Sequence, residues 1–353
     1  MKFKLNKSLL YKDWKTTKWV AMLMLFCILY TKLFKLMSAL NLQKSYLTQH
    51  GQMLAVRWFN NSLLYGSLYF AAMTALVCLL SLALFLNEKS TQSYGLIFSM
   101  PFTKKDIIKN KWFLGIVIII GSFLINALLI SLFYLANLKW IDTSLNPFSD
   151  ILKWLLMDST VYILLFTIFL FFQTIMGNVI FSSITCALTL LVPRFLILII
   201  SDILTISFNL AYDSKLLVKL NDIGNYLYIY SYNFPNSQWY NTNAKNACDV
   251  YQILSYPNLS LKLLICWILI ILFSALSLYC FSNRKLEFNN KIICNSKLET
   301  VFKWCVSICA GLMIGAFVGL GYFNENIFVF SLSAILAAMV AYYILNKIIN
   351  VMA

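Results

Sequence analysis

The sequence predicts an all-α polytopic membrane protein, with about eight transmembrane helices, an N-terminal interfacial helix, a short helix along the cytoplasmic face and one long extracellular loop. Three observations lead there. Apolar residues make up 61% of the 353-residue chain and charged residues only 12%, and mean hydropathy is +0.78. A soluble domain carries about 25% charged and 45–50% apolar residues, so there is too little polar chain to cover a wetted surface. The apolar residues fall into runs long enough to span a bilayer, which takes about 20 residues. Lysines then concentrate in alternate loops.

The first run, 19–37, follows a basic tail (1–18) whose stretch 8–18 places Leu10, Trp14 and Thr17 near one face. That pattern reads as an interfacial helix on the inner leaflet. Lys32 and Lys35 lie near the distal end of the run, where their stems can snorkel to headgroups. The next runs are 65–86, 113–135, 155–172 and 179–200, which with the first make up a five-helix segment, 19–200. A polar stretch from 201 to 262 is rich in Tyr and Asn, with Pro235 and Pro257 as breakers. Its segments 202–212 and 223–232 are apolar enough to dip into the outer leaflet as re-entrant pieces. The last three runs, 263–281, 302–322 and 327–345, lie within the segment 263–353, which ends in a short cytoplasmic tail.

Basic residues orient the bundle. One side holds Lys2, Lys4, Lys7, Lys12, Lys15, Lys18, Lys89, Lys104, Lys105, Lys109, Lys111, Arg284, Lys285, Lys291, Lys297, Lys303 and Lys347. The other side has fewer bases in much longer loops: Lys44, Arg57, Lys139, Lys153, Lys215, Lys219, Lys245 and Lys262. Both termini are therefore expected in the cytoplasm, at the plasma membrane, and the net charge of +15 reflects this bias rather than nucleic-acid binding. Trp14, Trp19, Trp112 and Trp304 at inner helix ends, with Trp140 and Trp154 at the outer side, agree with these boundaries. Most of the nine cysteines sit in apolar runs, and His50 is the only histidine, so neither a disulfide framework nor a metal site is indicated.

The loop 87–112 carries the strongest local signal. Glu88 and Lys89 open it, Tyr94, Leu96 and Phe98 form an amphipathic patch, and Pro101 stops any helix arriving from the preceding turn. Thr103 and Asp106 then have capping-box spacing, with Lys104 and Lys105 between them. The pattern suits either an ordinary basic inner loop or a short helix lying across the membrane face and joined rigidly to the third span.

With Glu88–Lys89, Leu96–Phe98, Ser99, Pro101, Thr103–Lys105 and Lys111, this loop resembles the coupling-helix region of type 2 ATP-binding-cassette (ABC) transporter permeases. The segment 282–304 is similar to the final inner loop of the bacterial eight-span subgroup, and Tyr11–Lys15 to its N-terminal elbow. The chain departs from the pattern at Ser90–Gln92, where the family often has Gly-Thr. The resemblance implies a permease subunit with no cofactor of its own, and two ABC ATPase subunits that bind the ATP and act on the coupling helix. It also implies a second permease chain, same or related, and an external excursion between spans five and six. The sequence contains no Gly-x-x-x-x-Gly-Lys-Ser/Thr phosphate loop, which agrees with nucleotide binding elsewhere.

Gly311, Gly315 and Gly319 repeat along the seventh span, and Ala334, Ala337, Ala338 and Ala341 along the eighth. Such faces let helix backbones approach, so these helices are expected to pack together. Few polar residues lie in the spans. Arg194 beside Pro193 reads as an anchor or a pathway residue, Asp158 as a similar group near the outer start of span four, and Asn126 as interhelical glue or pathway lining. A nearly uncharged core suits amphipathic cargo, or a role in resistance to antibiotics or envelope stress. The alternative is an integral membrane enzyme acting on lipid or cell-wall precursors, for which His50, Asp142, Asp150 and Asp158 are the outer-side groups. An ion-coupled secondary transporter would want buried charges at broken helices, which the sequence does not display.

Overall fold

The computed structural model describes residues 6–51, 56–90, 102–211, 213–241, 250–283, 296–320 and 326–352. Among them are eight helical stretches long and apolar enough to cross a membrane. The chain forms two compact units. One comprises Met1–Leu84, Asp106–Ile168 and Asn233–Ala275; the other comprises Phe85–Lys105, Phe169–Tyr232 and Leu276–Ala353.

In the first unit, α1 (Lys7–Ile28) starts at Asn6, whose side chain accepts from the Ser8 amide at 3.3 Å. Leu9, Asp13, Thr17, Val20, Met24 and Ile28 are buried at helical spacing. The stretch 8–18 is thus continuous with the first span, with no boundary at residue 18, because nothing between Lys7 and Ile28 interrupts the backbone ladder. Its inward face also differs from the expected one, since Trp14 is exposed and Asp13 is buried. A π-helical turn, Leu29–Phe34, joins α1 to α2 (Lys35–His50), which ends at Gly51 with φ +67°. Next come α3 (Trp58–Leu64) and α4 (Ser67–Ser90). They are separated by Gly66, whose φ of +152° only glycine adopts readily.

The chain continues as α5 (Lys104–Ala136) and α6 (Ser149–Ile175). Gly115 on α5 leaves room for the Phe166 ring of α6, and Phe123 lies between Trp154 and Tyr162 with ring centroids 5.8 Å from each. An apolar stretch of 18 residues in α6 is 72% buried, a larger share than in any other span among the described residues.

The stretch 201–262 is not one loop. In the second unit α7 (Val179–Phe208) carries on past residue 200, then α8 (Lys215–Leu227) folds back along it. Arg194 Nη1 donates to the Asn221 carbonyl of α8, and Tyr230 Oη donates to the Ala187 carbonyl at 3.4 Å. Ala187 is only eight residues into α7, about 12 Å along its axis. The chain after α8 therefore descends deep beside α7.

Residues 233–256 belong to the first unit and include an antiparallel hairpin, β1 (Asn236–Asn241) with β2 (Val250–Ser255), that pairs Asn236 with Ser255. Asn61 on α3 holds β2 by donating to the Gln252 carbonyl and accepting from the Leu254 amide. The chain then continues through α9 (Leu259–Ser282).

The second unit ends with α10 (Ser296–Gly315), a π-helical turn at Ala316–Leu320, and α11 (Ile327–Met352). A methyl group added at Gly311 would lie 2.5 Å from the Ala334 carbonyl oxygen and 2.7 Å from Ala338 Cβ. One at Gly315 would lie 2.7 Å from Ala334 Cβ, and one at Gly319 would lie 2.6 Å from Phe330 Cβ. The two backbones touch along this seam because glycines on one helix meet alanines and the backbone and Cβ of Phe330 on the other.

Candidate functional site

Two lysines point their ammonium groups into protein, Lys89 at the end of α4 in the second unit and Lys111 near the start of α5 in the first. Lys89 Nζ donates to the Gln173 carbonyl at 2.8 Å, to Gln173 Oε1 at 2.7 Å and to the Met176 carbonyl at 2.9 Å. Those acceptors lie at the end of α6 and just beyond it, within the second unit. Gln173 is wholly buried and passes the connection on, its Nε2 donating to the Val179 carbonyl at 2.9 Å and to Ser183 Oγ at 3.0 Å. Asn178 caps α7 by accepting from the amides of Ile180 and Phe181. The turn from α6 to α7 is thus closed by side chains as well as backbone. Glu88, beside Lys89, is also buried at 3% exposure. Hydrogen bonds from a charged donor are each worth about 1.5–3 kcal/mol net, so three on one ammonium make a firm anchor.

Thr103 directly precedes α5, Lys104 and Lys105 begin it and Asp106 lies in its first turn. Two turns into α5, Lys111 is completely buried within the first unit. Its Nζ lies 3.4 Å from Asp13 Oδ1 on α1 and also donates to the Leu84 carbonyl of α4. The neighbouring Asn110 Oδ1 accepts from the Asn6 amide at 3.3 Å, at the start of α1. One lysine therefore ties the ends of three spans together. Tyr94, Leu96, Phe98 and Pro101 lie outside the described residues.

The polar residues that the sequence singled out inside the spans fall into three arrangements. Asn126 Nδ2 donates to the Leu25 carbonyl of α1 at 3.2 Å and to the Ser122 carbonyl of its own helix at 2.9 Å. Arg194 is half-buried against α8. Lys32 and Asp158 take part in a cluster that sequence reasoning missed. Lys32 is not snorkelling. It is wholly buried, donating to the Leu63 carbonyl at 2.6 Å and the Tyr65 carbonyl at 3.3 Å, with its ammonium 4.0 Å from the Tyr69 ring centroid. Tyr69 Oη donates to Asp158 Oδ2 at 2.8 Å, and Tyr256, just past β2, donates to Asp158 Oδ1 at 3.2 Å.

The break at Gly66 frees the carbonyls that receive Lys32, and the π-helical turn shifts the register of α1 where Lys32 sits. The only hint in the sequence was a pair of bases, Lys32 and Lys35, in one apolar run and a lone acid in another, and their nearness to the run ends made snorkelling the cheaper reading.

The acids considered for an enzymatic alternative each have structural partners. Asp150 pairs with Arg57 and Lys153 and accepts from Asn60 Nδ2 at 2.8 Å. Asp142 accepts from the Ser144 hydroxyl at 2.6 Å and the Ser144 amide at 2.9 Å, which hold its carboxyl below the usual carboxylate range. The side chain of His50 lies outside the described residues.

Among the described residues, eight apolar helices long enough to cross a membrane define a multi-pass membrane protein. Residues 29–235, more than half of the chain, match the family model described as ABC-2 family transporter protein, and the chain belongs to that family. Permeases of this family lack an ATPase of their own, so ATPase partners are implied. No curated protein and no solved structure gives a significant match.

Proposed function

We propose that this chain is the membrane subunit of an ATP-driven exporter of amphipathic molecules, with a role in transport or in antibiotic and envelope-stress resistance. Separate ATPase subunits act on it through residues 88–106. In this reading Glu88, Lys89, Tyr94, Leu96, Phe98, Pro101, Thr103, Lys104, Lys105 and Asp106 form the coupling segment on the cytoplasmic side, with both termini on the same side. Two permease chains, identical or related, work with two ATPase subunits. The observation that carries the reading is the Lys89 anchor: an ammonium fixed to three acceptors around the α6–α7 turn transmits force from the segment to two spans. Rigid-body rocking of helices then alternates access across the membrane.

The test is co-purification of the chain with its ATPase, followed by alanine substitution across Glu88–Phe98. The reading requires that the ATPase co-purify and that transport fall at least tenfold in the substituted chain. Intact transport in that chain, or labelling of a cysteine at position 101 from outside intact cells, defeats it.

A further inference from the structure

Arg194 lies fifteen residues into α7, about 22 Å along its axis and so halfway down the helix. A guanidinium on an apolar spanning helix is costly and marks a functional position more often than a structural one. Among the described residues its single hydrogen-bond acceptor is the Asn221 carbonyl, at 3.4 Å, on a face that remains exposed, and no carboxylate lies within ion-pair distance. A guanidinium has five N–H donors, so most of its capacity is unused.

Its position is built in. Gly224 is buried on the facing side of α8, where a Cβ would run into the guanidinium and would stand 3.2 Å from Ile197 Cγ2 and 3.5 Å from Arg194 Cδ. The missing side chain makes a notch that seats the arginine. Around the notch α8 is divided lengthwise. Leu216, Ile223 and Leu227 form an exposed apolar stripe, while Lys215, Lys219 and Asp222 lie on the other side together with exposed Val218. An acyl chain would find apolar surface next to the stripe, and its headgroup would find the planar donor fork. Phosphate and carboxylate match that fork bidentately.

We propose that Arg194, seated in the Gly224 notch, binds the anionic headgroup, phosphate or carboxylate, of a single-chain or lipid amphiphile lying along α7 and α8. This deepens the permease reading only in making such an anion the cargo class. Binding itself can be measured without an ATPase.

The test uses the full-length chain in nanodiscs of zwitterionic lipid. The probes are dodecyl phosphate and dodecanoate, with dodecyltrimethylammonium as the cationic control. The wild-type chain is expected to retain both anions at least tenfold more tightly than the cation. Arg194→Gln is expected to weaken anion binding about tenfold and Arg194→Lys by less, because lysine keeps the charge but loses the fork. Gly224→Ala is expected to weaken binding although the arginine remains, and unchanged melting temperatures of the three variants show that folding is intact.

Competition by phosphatidylglycerol included in the disc assigns the site to a lipid headgroup; failure of that lipid to compete assigns it to cargo. Equal affinity of wild type and a folded Arg194→Gln variant, or equal binding of anion and cation, overturns the proposal. Since Arg194→Gln leaves residues 88–106 untouched, loss of ATPase co-purification in the wild-type chain would count against the permease reading alone.

Discussion

Two regions of this protein solve the problem of holding helices together in lipid by opposite means. Around Lys32 and Asp158, in the first unit, the contacts are polar: an ammonium on two freed carbonyls and an aromatic face, and a carboxylate under two tyrosine hydroxyls. Along α10 and α11, in the second unit, they are almost featureless, with glycine against alanine and backbone against backbone. The polar cluster draws on strong electrostatics at low dielectric and fails badly if half of it is removed. The small-residue seam draws on dispersion over many weak contacts and fails when volume is added. The seam also suits α11, whose apolar stretch of 18 residues is only 11% buried and which therefore has one face with which to hold its neighbour.

The difference can be broken at the polar cluster first. Lys32→Met leaves the Leu63 and Tyr65 carbonyls and the Asp158 carboxylate without their cation, and is expected to destabilise the chain by about 3–5 kcal/mol. The double change Lys32→Met with Asp158→Leu should recover part of that loss, read as a rise in melting temperature over the single variant. A double variant no more stable than Lys32→Met would show that the cluster does not act as a charge-balanced unit.

The Lys89 anchor comes next. Lys89→Met removes three charge-assisted hydrogen bonds, but the lysine is only partly buried and water can replace it at the acceptors, so the cost should be about 1.5–3 kcal/mol, well short of the sum of three bonds. Transport should fall more than ATPase co-purification does, since the segment stays in place while its connection to the α6–α7 turn is cut. Equal loss of both would mean that Lys89 serves folding alone.

At the seam the sign reverses, because substitution adds atoms instead of removing a charge. Gly315→Val should destabilise by about 1–3 kcal/mol through overpacking against Ala334. Thermal unfolding of the variant beside Gly121→Val sharpens the contrast, since a Cβ at Gly121 meets nothing within 4 Å.

The smallest effect is expected at Asp142. Its carboxyl is held low, so the stabilisation it gives the turn is complete above the ordinary carboxylate range and is lost as pH falls through its lowered value. The protection factor of the Ser144 amide, its exchange rate relative to the intrinsic rate at each pH, should fall on acidification in the wild type. In Asp142→Ala it should already be low at neutral pH.

The spans and their number were legible because bilayer thickness writes itself into the sequence as apolar runs of fixed length. The glycine and alanine repeats could likewise be read as faces, since helical periodicity alone decides which residues share a side. Helix ends were less legible. The stretch 8–18 reads as amphipathic and separate, yet it folds as the start of α1 with Asp13 turned inward to meet Lys111. The region after residue 200 looks like loop because its polarity is high on average. Its described residues include the end of α7 and all of α8, and the ladder of α7 does not stop where the apolar run does.

By itself the sequence determined a polytopic helical membrane protein, a charge asymmetry between alternate loops, and a loop resembling a coupling segment. Each is a property of a window of neighbouring residues. Only the tertiary structure decided which polar side chains face one another: Lys32 with Tyr69 and Asp158, Lys89 with Gln173, Lys111 with Asp13, and Arg194 in the notch at Gly224. A charge inside a span is expensive until a partner far along the chain is brought to it, and that meeting is a fact of folding in three dimensions that no local pattern records.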